Sequence, residues 1–187
     1  MELLVVITIV AILGVATMNM PDNSLAMFRD RAMKDIRHTQ SLALFDDKHQ
    51  DRPKTNSLID INKSRYWFKS FWQIKFLDKN YTIFSDKYPF DNIPQEIETA
   101  INPLDRKSFS VQIDGDIKIT SNLANWKNSI LFDNLGRPFY DVNTTEPHPF
   151  KFLIQESFQI KISKDSDSLC FQVEPISGYV HIENCIF

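Results

Sequence analysis

Glycine is scarce, with 4 in 187 residues. That excludes a repetitive or fibrous chain, and no phosphate-cradling glycine loop is present. Histidine is as sparse. His38, His49, His148 and His181 are scattered, with neither the HExxH spacing of a metallopeptidase nor the GxSxG of a hydrolase. Two cysteines, Cys170 and Cys185, are too few ligands for a zinc site. The net charge of −3 provides no global basic field for nucleic acid or anionic lipid. Asp114-Gly-Asp116 and Asp165-Ser-Asp167 are fragments of a calcium loop without its further ligands, and solvated turns explain them better. The expectation is a chain with no catalytic set, no metal site and no cofactor.

What stands out is the first stretch. From Leu3 to Met18 there is no charge and almost nothing polar. With Asn19 and Met20 it reaches the ~17–25 residues a helix needs to cross a hydrocarbon core. One carboxylate, Glu2, stands at its head with no basic side chain beside it. A secretory signal would begin with positive charge and end in a small-residue cleavage site, and neither is here. An ordinary anchor carries Lys or Arg on its cytoplasmic flank. Here Arg29, Arg31, Lys34 and Arg37 follow the span, which taken alone would place the main domain in the cytoplasm.

Glu2-Leu-Leu-Val-Val-Ile-Thr-Ile-Val-Ala-Ile-Leu13 resembles the N-terminal segment of type IV pilins and type II secretion pseudopilins. The family's basic leader and the glycine before its cleavage site do not precede Glu2. A late start, a trimmed chain and an unprocessed divergent member are three open readings, and a lost leader would account for the reversed charge rule. In pilin-like filaments the equivalent glutamate meets the terminal amine of a neighbouring subunit. Pairing offsets much of the cost of a buried charge, so the resemblance implies assembly through Glu2. The alternative is that Glu2 simply sits among lipid headgroups. Ile130-Leu-Phe-Asp-Asn-Leu-Gly-Arg-Pro138 is similar, over a shorter stretch, to a turn of minor pseudopilins.

Beyond the span, Leu25, Phe28, Ala32, Ile36, Thr39 and Ala43 recur at helical spacing, with Arg29, Asp30, Lys34 and Arg37 elsewhere on the wheel. Pro21 is expected to kink or loosen this helix, and the polar run Asp46–Pro53 to end it. From Leu58 the period becomes two. Tyr66, Phe68, Trp72, Ile74 and Phe76 are expected on one strand face, with Lys69, Gln73 and Lys75 on the other. The lysines interleaved with aromatics there also suit a single-strand-binding face, which strand packing explains more cheaply. Further strands are expected at Tyr81–Ser85, Phe109–Ile113, Ile117–Thr120, Ser129–Asp133, Phe139–Val142, Phe150–Ile162, Leu169–Glu174 and Tyr179–Glu183. Asp114-Gly115 reads as a tight hairpin. The proline-punctuated Tyr88–Leu104 reads as a loop with one helical turn near Gln95–Ala100.

Cys170 and Cys185 flank the last expected hairpin, so a bridge is geometrically possible; buried free thiols are the alternative. An apolar anchor and an even cysteine count favour the bridge and an oxidising compartment. Asn62-Lys-Ser64, Asn80-Tyr-Thr82 and Asn143-Thr-Thr145 each fit the N-glycosylation pattern. Each carries an acid two positions earlier (Asp60, Asp78, Asp141), a form that resembles the bacterial acceptor sequon. Asx-rich turns also generate such triplets, but three extended matches exceed chance, and glycosylation at some of these three sites is the expectation in a host that has the machinery.

These readings give an α+β chain. Residues 1–20 form a membrane half and 21–47 an amphipathic half of one long N-terminal helix. That helix packs on antiparallel β-sheet in a pilin-like head, residues 48–187. The resemblance implies a structural minor pilin or pseudopilin, not an enzyme, of a type II secretion-like or DNA-uptake machinery. It would be single-pass in the bacterial inner membrane, with its head in the periplasm. Partners would be other pilin-like subunits and that machinery, with DNA as a further contact. The alternative is an anchored periplasmic protein-binding module that does not polymerise.

Overall fold

The computed structural model describes residues 23–49, 52–103, 105–124, 126–140 and 149–187. The expected membrane half, residues 1–20, together with Pro21 and Glu2, lies outside them. Helix α1 spans Ser24–Phe45, within the expected amphipathic half. Leu25, Phe28, Ala32, Ile36, Thr39 and Ala43, the stripe read from helical spacing, are all buried, and Met33 joins them. Helical periodicity puts one face of the rod inward, and a stripe of this width needs sheet to cover it.

Two antiparallel sheets supply the cover. The first runs β3 (Ser110–Gln112), β2 (Asn80–Ser85), β1 (Trp72–Phe76), β5 (Ser129–Phe132) and β6 (Pro138–Phe139) in spatial order. The second runs β4 (Lys118–Ser121), β7 (Phe158–Lys164), β8 (Asp167–Val173) and β9 (Val180–Glu183). Helix α1 packs against β1 and β5 of one sheet and β7, β8 and β9 of the other. The main core is therefore shared: Ile36 and Ala32 of the helix meet Ile74, Ile83, Ile130, Phe158, Ile160 and Phe171. The α+β class with antiparallel sheets is thus as expected.

The five-stranded sheet is covered on both faces. All four residues of β5 are buried; Ile130 and Phe132 enter the main core, while Leu131 joins Phe68, Phe71 and Phe139 in a second cluster behind the sheet. A strand buried on both faces loses the apolar-polar alternation of a half-solvated one.

Three expectations are corrected. Phe150–Ile162 is not one strand: Pro149–Phe152 is a 3-10 turn and β7 begins only at Phe158. Leu58–Arg65 is a helix, α2, not strand. The Ser57 hydroxyl accepts from Asp60 N at 3.2 Å, Asp60 sits in its first turn, and Lys63 and Arg65 sit in its last, the charge order a helix dipole favours. Trp67–Ser70 is then a 3-10 turn, so Tyr66 and Phe68 precede the strand that begins at Trp72. Asp114-Gly115 makes a tight turn, with Ile117 N donating to Asp114 O at 2.9 Å, but not a hairpin. Its flanking strands part: β3 pairs with β2 and β4 with β7. The hairpin turns of type I′ need left-handed backbone at both central residues, and Gly115 does not adopt it.

Candidate functional site

Of the residues singled out by sequence, Cys170 and Cys185 are brought together among those described. Glu2 and Asn143 lie outside the described residues. Among those described, no helix is long and apolar enough to cross a membrane, and the Leu3–Met18 stretch is not among them.

Cys170 and Cys185 are joined by a disulfide, with Cα atoms 5.2 Å apart. Cys170 sits buried on β8, paired with Glu183 of β9, so the bridge ties the segment after β9 back across the hairpin.

Asn62 lies within α2, where its carbonyl accepts from Tyr66 N at 3.0 Å. Asn80 opens β2 and its amide donates to Ser110 Oγ at 2.8 Å. Thr82 of the same triplet is buried and its hydroxyl donates to Phe109 O at 2.6 Å. Both asparagines thus sit in regular secondary structure.

The most constructed polar feature is a clamp at the far end of α1. Gln40 Nε2 donates to Gly136 O at 2.8 Å and to Ser177 O at 2.7 Å. One helix side chain thus holds two turns from different sheets. The first turn is built on Asp133, whose Oδ1 accepts from Leu135 N and Arg137 N and whose Oδ2 accepts from Arg137 Nε at 2.7 Å. Gly136 and Gly178 both adopt left-handed backbone, at φ +75 and +64. Around the clamp Leu44, Leu135, Ile176 and Tyr179 are exposed. Ile176 also has φ +66, a strained setting for a β-branched residue.

Helix and sheet are also joined by Tyr81, fully buried, whose hydroxyl donates to Asp35 Oδ2 at 2.5 Å. Burial raises the Asp35 carboxyl above its usual range against the opposing Tyr81 bond. Burial, with the Asp35 bond and charge, raises the Tyr81 phenol.

The loop after β2 closes over two buried acids. Glu98 accepts from Lys87 N and Gln95 N. Asp86 Oδ2 accepts from Asn92 N at 2.8 Å, while its Oδ1 is buried with no hydrogen-bond partner among the described residues. Burial first, then the Glu98 and Asp91 charges, push Asp86 up to about 6 against the Asn92 bond. Its folded value exceeds the 3.8 of an ordinary aspartate, so the folded chain binds the extra proton and stability falls as pH rises from about 4 to about 6. Asp86→Asn is expected to stabilise the chain by roughly 1–2 kcal/mol at neutral pH. Denaturant melts across that pH window check it: the wild-type slope should flatten in the variant.

No catalytic arrangement emerges from the histidines. His181 lies 3.6 Å from Glu174 and 3.7 Å from Glu183 and stacks on Tyr179. His49 packs edge-on to Trp67, and His38 sits near Phe109; His148 lies outside the described residues. No cluster of three metal-ligating side chains occurs among the described residues. Asp114 instead accepts from Lys164 Nζ at 3.2 Å.

The Asp133–Arg137 spacing lies within the turn that sequence marked. Gln40 and the Asp86–Glu98 pair were missed; nothing local distinguishes a clamp glutamine from any other on a helix. No protein family, curated protein or solved structure matches the chain.

Proposed function

We propose that the chain is a structural minor pilin or pseudopilin subunit of a type II secretion-like or DNA-uptake machinery. Residues 3–18 hold it in the bacterial inner membrane and the head faces the periplasm. The observation that carries this reading is Glu2 standing before an uncharged Leu/Val/Ile run. A carboxylate at the edge of lipid gains from a cation, and a neighbouring subunit's terminal amine is one. The head adds support. The apolar stripe of α1 is already buried against its own sheets, which leaves the preceding run to pack against neighbours. The disulfide suits an oxidising periplasm.

The test is Glu2→Ala in the full chain expressed from its own locus. Membrane insertion should persist while cross-linking between copies, and secretion or transformation with it, falls at least tenfold. Replacing the whole run by an unrelated apolar helix should do the same. Full function after that exchange would instead establish the second reading, an anchored protein-binding module. The exposed apolar side chains around the Gln40 clamp favour that second reading, since such patches mark contact sites.

A further inference from the structure

The 3-10 turn at Trp67–Ser70 breaks the alternation expected of Tyr66–Phe76. Phe68 and Phe71 turn into the second core, and Trp67 turns to line a groove of about 320 Å³. Lys48, from just beyond α1, Lys63 of α2 and Lys87, from the loop after β2, converge on it, with Tyr88 and Phe90 beside them. Among its described lining residues, every ionisable side chain other than Tyr88 is a lysine. Arg65 and Lys69 flank this side, lying 5.3 and 5.1 Å from the Tyr66 ring centroid. Asp46 pairs with Lys48 at 2.5 Å, and Lys87 Nζ donates to Ile97 O at 2.8 Å. Cations from three separate segments thus gather in a chain of net charge −3. Such a gathering of cations attracts a polyanion.

We propose that this groove binds single-stranded nucleic acid, with phosphates against Lys63 and Lys87 and a base against the Tyr88 ring. Tyr88 is 39% exposed. Aromatic faces beside cations hold bases and backbone together without reading sequence. A groove of this volume is at the small end of ligand sites and admits one nucleotide unit at a time, not a duplex. An acidic peptide would satisfy the lysines and leave the aromatic rings without a stacking partner. The proposal deepens the uptake arm of the function above but uses none of its assembly residues. A Glu2→Ala chain should bind as the wild type does, so the two readings fail separately.

Fluorescence anisotropy of a labelled oligothymidylate with the full chain in detergent micelles, across a salt series, tests it. Log affinity should fall with log salt at a slope of roughly −1.4, as for about two phosphate contacts on a single strand. The Lys63→Ala/Lys87→Ala double variant should weaken binding at least tenfold and flatten that slope. Tyr88→Ala should weaken it about fivefold with the slope kept, and Lys34→Ala on α1 should change nothing. Melting curves confirm that each variant is folded. Absence of binding at low salt, insensitivity to both groove variants, or equal competition by polyglutamate would overturn the assignment.

Discussion

Gly178→Ala is expected to destabilise the head by roughly 3–4 kcal/mol, the sum of a left-handed alanine and an overpacked site. At φ +64 an added Cβ would lie 2.7 Å from Gly136 O and 2.8 Å from Phe132 Cε1. Backbone and a buried ring cannot retreat as a flexible side chain can. The same Cβ would meet Gln40 Nε2 at 2.7 Å, so the clamp that joins both turns to α1 opens too. In a chain of this size the loss corresponds to a fall in Tm of roughly 10 °C. Gly115→Ala is the control, with no atom within 4 Å of its Cβ, and should melt with the wild type. Thermal melts of the three chains decide it; equal Tm for Gly178→Ala would mean that the clamp adds nothing.

Removing the disulfide, by Cys170→Ser with Cys185→Ser, should cost about 3 kcal/mol. The bridge closes a loop of sequence separation 15, and loops of that length restrict the unfolded chain by about this amount in the entropic account. The effect falls on β9, which among the described strands pairs only with β8. Melts with and without reductant should separate by roughly 6–12 °C in the wild type and coincide in the double variant. Coincidence in the wild type would show that β9 needs only its ladder. Gly178 lies inside the same closed loop, so combining Gly178→Ala with the cysteine changes should cost less than the sum.

Much of this framework was legible in sequence because it rests on periodicity. Leu25, Phe28, Ala32, Ile36, Thr39 and Ala43 were recognisable as one stripe, and all are buried. The strands expected at Ser129–Asp133 and Tyr81–Ser85 were legible from short apolar runs bounded by turn residues, not from alternation, since both are buried on both faces. The errors have separate physical causes. Leu58–Arg65 is short and leaves Leu58, Ile59 and Ile61 exposed, so it lacks the apolar stripe that marks a helix; its Ser57-x-x-Asp60 cap was the available signal. Asp114-Gly115 correctly marked a reversal, but a turn motif says nothing about which strands pair beyond it. The groove depends on residues 48, 63 and 87, and only the fold sets such separations.

The parting of chain at Asp114-Gly115 has a final consequence. The segment leaves one sheet after β3, lends β4 to the other, and comes back as β5. Each half of the architecture is therefore threaded through its counterpart, much as interlocked fingers are. A cut in the intervening loops frees no self-sufficient half, because either piece carries an orphaned edge. Denaturation should proceed all at once, without a half-folded fragment that persists.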